Sequence, residues 1–79
     1  MKTFYFEVTD TFGGEANFCW IRRLAIKANS LHGALIKLSK HEGLNFKKQY
    51  DTFYKAKNAC ICAFLVDYDV YNPEIYKTI

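Results

Sequence analysis

The sequence predicts an α+β domain in which one main helix packs on one face of a three- or four-stranded, mainly antiparallel sheet. Three observations predict it. Residues 2–9 alternate strictly, with Phe4, Phe6 and Val8 on one side and Thr3, Tyr5, Glu7 and Thr9 on the other. Leu31, Ala34, Leu35 and Leu38 recur at helical spacing and form one apolar stripe. Residues 59–66, Ala-Cys-Ile-Cys-Ala-Phe-Leu-Val, carry no polar side chain and are bounded by Lys57-Asn58 and Asp67. That run is too short for a good helix or a membrane span, and it reads as a central strand apolar on both faces.

Length allows one domain, residues 1–79, and one modest core. Such a chain buries ~60% of the surface it exposes when open. A hydrophobic fraction of 51% and an aromatic fraction of 18% place it among folded chains. No charged, then apolar, then small-residue leader opens the sequence, so no secretion signal or membrane anchor is expected. The 3 cysteines are an odd number, which with that absence points to free thiols in a reducing cytoplasm.

Taken in order, the first strand ends in the turn-forming stretch Asp10–Asn17, a hairpin loop with Phe12 near its tip and Gly13-Gly14 able to take positive φ. The second strand spans residues 18–28. Leu24, Ile26 and Ala28 face inward, and Phe18 and Trp20 fit that phase only if a bulge lies near Arg22-Arg23. Asn29 or Ser30 caps a helix over 30–42, with Gly43 as its stop and Lys40 and His41 at its negative end. Gly33 lowers helix propensity, and close approach to a strand would explain it. A loop and a short strand around 53–56 follow, hairpinned to the central strand through Lys57-Asn58. Asn72-Pro73-Glu74 then starts a short helix, whose Ile75, Tyr76 and Ile79 can dock on an uncovered face.

The helix is expected on the face of the central strand that holds Cys60, Cys62, Phe64 and Val66. These would join Phe4, Phe6, Val8, Leu24, Ile26 and the helix stripe in the core. Ile61, Ala63 and Leu65 would then lie uncovered.

No cofactor, metal or catalytic site is expected. Cys60 and Cys62 stand two apart on a strand, where their sulfurs are about 7 Å apart, too wide for one tetrahedral metal. No CxxC knuckle is present. The carboxylates are scattered, neither His32 nor His41 has a marked partner, and Gly13-Gly14 lacks the lysine and spacing of a phosphate loop.

The net charge of +3 is unevenly laid out: residues 20–58 carry nine Lys/Arg against Glu42 and Asp51, whereas both ends are acidic. Arg22, Arg23, Lys27, Lys47 and Lys48, interleaved with Tyr50 and Tyr54, hold the two ingredients of single-strand binding, cations for phosphates and rings for bases. The recognised RNA-binding signatures are missing. Nucleic-acid binding is therefore the alternative function.

Residues 7–17, Trp20-Ile21-Arg22-Arg23 and residues 59–64 resemble stretches of short uncharacterised proteins encoded by phages and prophages. The size and the strand-strand-helix-strand order are similar to small anti-CRISPR proteins. That resemblance implies a protein that acts in the host cytoplasm by contact, inhibiting a host protein or defence complex, and implies no chemistry. The surface expected to work is Ile61 and Leu65 on the uncovered face, extended by Tyr5, with Phe12 as an aromatic anchor. The face could instead meet a second copy. Glu7, Asp10, Asp67 and Asp69 could imitate phosphates toward a nucleic-acid-binding target.

Overall fold

A computed structural model of the chain describes residues 1–12 and 15–79. The elements are β1 (Lys2–Phe12), β2 (Glu15–Ala28), α1 (Leu31–Glu42), β3 (Phe46–Lys48), β4 (Phe53–Ala56), β5 (Ile61–Val66), a 3-10 turn (Pro73–Ile75) and β6 (Lys77–Thr78). Among the described residues, six strands form one mixed sheet in the order β3-β4-β5-β1-β2-β6. The α+β class holds, and the sheet is larger than three or four strands. The additions are its edges: β3 has 3 residues, and β6 has 2 and runs parallel to β2. Among the described residues, no helix is long and apolar enough to cross a membrane.

α1 forms where the apolar stripe predicts. The Ser30 hydroxyl accepts from the Gly33 amide at 3.2 Å, and Gly43 stops the helix at φ 69°. Ala34 and Leu38 are fully buried and Leu31 and Leu35 pack beside them. They meet Phe6, Val8, Leu24, Ile26 and Ala28, the inward rows of β1 and β2. β4 occupies the span expected of it and pairs with β5, the chain turning through Asn58 at φ 64°.

Two expectations are corrected. The first concerns the faces of the central strand. β5 pairs with β1 so that Leu65 lies opposite Phe6 and Ala63 opposite Val8. Directly paired residues share a face, so Ile61, Ala63 and Leu65 belong to the helix-covered core. Cys62, Phe64 and Val66 belong to the other face, where Cys62 is fully buried as expected, and Cys60 is exposed. The Tyr54 ring, edge-on to Phe6 at 6.4 Å, fills the space over Ala63.

The second correction concerns the hairpin. β1 and β2 pair out to Phe12 and Glu15, so residues 10–12 and 15–17 are strand and not part of a long loop. The expected turn at Gly13-Gly14 lies outside the described residues. Arg22 and Arg23 sit in regular register with Val8 and Glu7, and the irregularity falls at residues 17–20.

Candidate functional site

The irregularity in β2 builds the site. Thr9 pairs with Ile21 and Thr11 with Ala16, so residues 17–20 stand opposite Asp10 alone. The Asp10 carboxylate gathers them, accepting from the Asn17 side-chain amide and the Cys19 backbone amide, each at 3.0 Å. The buried Thr9 hydroxyl donates to the Trp20 carbonyl at 2.5 Å. The bonds to Asp10 hold its carboxyl below its ordinary pKa, the Asn17 amide first, against a smaller opposing effect of burial. Between the anchored residues, Phe18 adopts φ 57°, a left-handed conformation that side chains with a Cβ rarely take.

That conformation delivers the Phe18 ring onto the sheet face opposite α1. There it stacks on Phe64 at 5.9 Å between centroids and 14° between planes. Phe64 meets Phe53 across the β4–β5 pair at 4.9 Å, and Phe53 stacks on Tyr50 at 5.8 Å. Four rings thus form one row across the open face. Phe18 and Tyr50, the ends of the row, are 53% and 73% exposed.

Two clefts follow the row. One of about 550 Å³ lies over Tyr50, Phe53 and Phe64, between Glu15, Gln49 and Lys55. A neighbouring cleft of about 280 Å³ is walled by Phe18, Phe64 and Tyr68, with Glu7 and Asp67 on its rim. The chain's tail covers the far end of the same face. Tyr76 is buried edge-on against Tyr5 at 5.0 Å and donates its hydroxyl to Glu7 at 3.1 Å. The same Glu7 oxygen pairs with Arg23 at 3.4 Å. Burial, then the Glu7 charge and its hydrogen bond, push the Tyr76 phenol up to about 12.

The residues expected to meet a protein partner are distributed unequally. Ile61 and Leu65 pack against the core beneath α1 and are not on the open face. Tyr5 faces the open side but is covered by Tyr76. Phe12 is exposed at the end of β1. Asp67 and Asp69 are exposed beyond β5, and Asp67 borders the smaller cleft. Asp10 is engaged by internal donors, and Glu7 binds Arg23 and Tyr76 through one of its two oxygens.

The nucleic-acid set is divided by the fold. Tyr54 is buried. Arg22 pairs with Glu42 at the end of α1 and lies over the Trp20 ring at 4.6 Å, while Arg23 pairs with Glu7 on the opposite face. The Lys27 carbonyl accepts from Lys37, and the Lys27 side chain is exposed. Lys47 pairs with Lys55 and shares the open side with Tyr50, whereas Lys48 pairs with Tyr54 on the helix side.

The cysteines are free thiols. The Asp10 charge raises the Cys19 pKa, and burial, with Asp10 second, raises that of Cys62. Both shifts favour the thiol over the nucleophilic thiolate. Among the described residues, no group of three or more His, Cys, Asp or Glu side chains is gathered to hold a metal.

The row formed by Phe18, Phe53 and Phe64 on the open face was missed from the sequence. One signal was available. Lys55 alternates with Phe53 on one side of β4 and Tyr54 and Ala56 lie on the other, so the lysine marks Phe53's side as the open one. No family model, curated protein or solved structure matches this chain.

Proposed function

We propose that this chain is a small binding protein that acts by protein–protein contact through the open face of its sheet, without catalysis. The observation that carries this reading is the ring row Tyr50–Phe53–Phe64–Phe18, which ends on a residue held at positive φ. A strained backbone that presents a half-exposed ring contributes little to the core, and such strain concentrates at working surfaces. Aromatic residues in shallow clefts are the usual anchors of protein interfaces. The sheet edges are poor alternatives, since β3 and β6 are short and β3 carries Lys47 and Lys48. The partner class proposed is a host protein or defence complex in the cytoplasm, met in the manner of small anti-CRISPR proteins encoded by phages and mobile elements.

Affinity capture from host cells, paired with light scattering, tests this. Phe18→Ala with Phe53→Glu should remove the captured partner, whereas Lys27→Glu, away from the row, should retain it. A purely dimeric protein whose dimer is lost in the double variant would identify a second copy as the partner. Unchanged capture and oligomeric state in the double variant would defeat the proposal.

Lys47 and Lys55, which share the open side with Tyr50 and Phe53, support nucleic-acid binding as a second reading. It predicts retention of single strands at low salt that declines as counterions compete. Lys47→Glu with Lys55→Glu should abolish the retention. No shift at low salt removes this reading.

A further inference from the structure

Resting on the protein-binding reading, we propose that the smaller cleft of the open face receives an arginine side chain of the partner. The cleft, about 280 Å³, has Phe18, Phe64 and Tyr68 as walls and Glu7 and Asp67 as its charged groups. Aromatic walls with carboxylates at the rim are the surroundings a desolvated cation needs: ring faces attract it, and the carboxylates neutralise it.

The carboxylates differ in what remains to them. Arg23 and the Tyr76 hydroxyl both bind Glu7 Oε2, and among the described residues Oε1 accepts no hydrogen bond. Arg23 therefore offsets Glu7 from the neighbouring cleft, which it lines with Tyr71 and Ile75. Asp67 is exposed and pairs with no cation among the described residues, so the rim remains negative around an apolar floor. This local charge opposes the chain's net +3, and it selects a basic group on the partner.

A guanidinium fits better than an ammonium. Phe18 is the half-exposed end of the stack, and the ring face it turns away from Phe64 is a flat surface for a planar ion. The guanidinium loses less hydration on burial and can bond Glu7 Oε1 and Asp67 together from its fork of donors. An ammonium would satisfy one carboxylate as a point charge and leave the ring faces less well covered.

The test uses the intact protein, labelled with nitrogen-15, titrated with acetyl-Gly-Arg-Gly amide and with the same peptide carrying citrulline, its neutral isostere. The arginine peptide should shift the amides of Phe18 and of residues 64–68, saturably, with a millimolar Kd. The citrulline peptide should bind ~tenfold more weakly. Asp67→Asn, at an exposed position, should weaken the arginine peptide ~fivefold and leave the rest of the spectrum in place. Equal binding of the two peptides, or shifts centred on Glu15 and Tyr50, overturns the proposal. Absence of saturable shifts, while partner capture still depends on Phe53, removes the arginine site alone. Capture that ignores Phe18 and Phe53 removes the protein-binding reading whatever the peptides do.

Discussion

The Asp10 carboxylate accepts the backbone amide of Cys19 at 3.0 Å, and this bond closes the bulge that turns Phe18 onto the open face. One acidic side chain in β1 thus determines whether the aromatic row has its fourth ring. Asp10→Ala should free residues 17–20, detach Phe18 from Phe64 and weaken partner binding without removing any residue of the contact surface. The effect is acid-sensitive with a defined sign. Because the bonds lower the folded-state pKa of Asp10 below 3.8, its contribution is complete above that value. It is lost as pH falls through the lower folded value. The difference in Tm between the native chain and Asp10→Ala should be present at about pH 7 and should shrink as pH falls below 3.8. A difference unchanged at lower pH would show that Asp10 acts without its charge.

Phe18 offers a sharper test of strain. Holding a residue with a Cβ in the left-handed region costs ~1–2 kcal/mol, and glycine escapes that cost. Phe18→Ala loses the stack on Phe64 and keeps the strain; Phe18→Gly loses the stack and relieves it. The glycine variant should be more stable than the alanine variant by ~1 kcal/mol, the reverse of the usual order in a strand. Both should bind partner equally poorly. Urea denaturation that finds the alanine variant the more stable would show that φ at Phe18 stores no strain.

Why the row escaped sequence reasoning follows from particular residues. The inward side of β1 was legible because Phe4, Phe6 and Val8 alternate with polar neighbours. The helix was legible because its stripe, the Ser30 cap and the Gly43 stop agree. In β5 the two sides, Ile61/Ala63/Leu65 and Cys62/Phe64/Val66, are equally apolar, so alternation carried no sign. Only the register with β1 decides which side meets α1. The bulge was harder still, since residues 17–20 leave the ladder for bonds to Asp10 and the Thr9 hydroxyl, contacts invisible to periodicity. β6 is too short to have a pattern, and it follows the docking of Tyr76.

The glycines of α1 should respond oppositely to the same substitution. A methyl group at Gly33 would lie 3.6 Å from the Ser30 hydroxyl and 3.7 Å from the Ala28 methyl, ordinary contacts. Close packing therefore does not require glycine there. Gly33→Ala should stabilise the fold by up to ~1 kcal/mol by favouring helix and restricting the unfolded chain. At Gly43, φ is 69°, and Gly43→Ala should destabilise by ~1 kcal/mol although nothing crowds the site. Chemical denaturation of the two variants checks the pair. A destabilised Gly33→Ala would mean that the helix must shift away from Ala28 to admit the methyl.

Tyr76 sets the alkaline limit. Its ring is buried against Tyr5 and its hydroxyl donates to Glu7, so ionisation would place a phenolate in a poorly solvated position beside a carboxylate. The phenol is pushed from 10.0 up to about 12, burial first and the Glu7 charge second. A raised folded-state value means that the stabilising contribution is whole below pH 10.0 and is lost as pH rises toward about 12. The unfolded chain releases that proton first. Absorbance titration should show a late tyrosine phase, and Tyr76→Phe should remove one residue's share of it, since burial raises the Tyr54 phenol as well. The Phe variant keeps the ring packing and loses the hydroxyl, so it should be less stable than the native chain near neutral pH by ~1 kcal/mol, through the lost hydrogen bond to Glu7. Its stability should then decline less steeply above about pH 10. Should the native chain and Tyr76→Phe lose stability along the same alkaline curve, the tail would not be held over the sheet by this bond, and Glu7 Oε2 would be left to Arg23 alone.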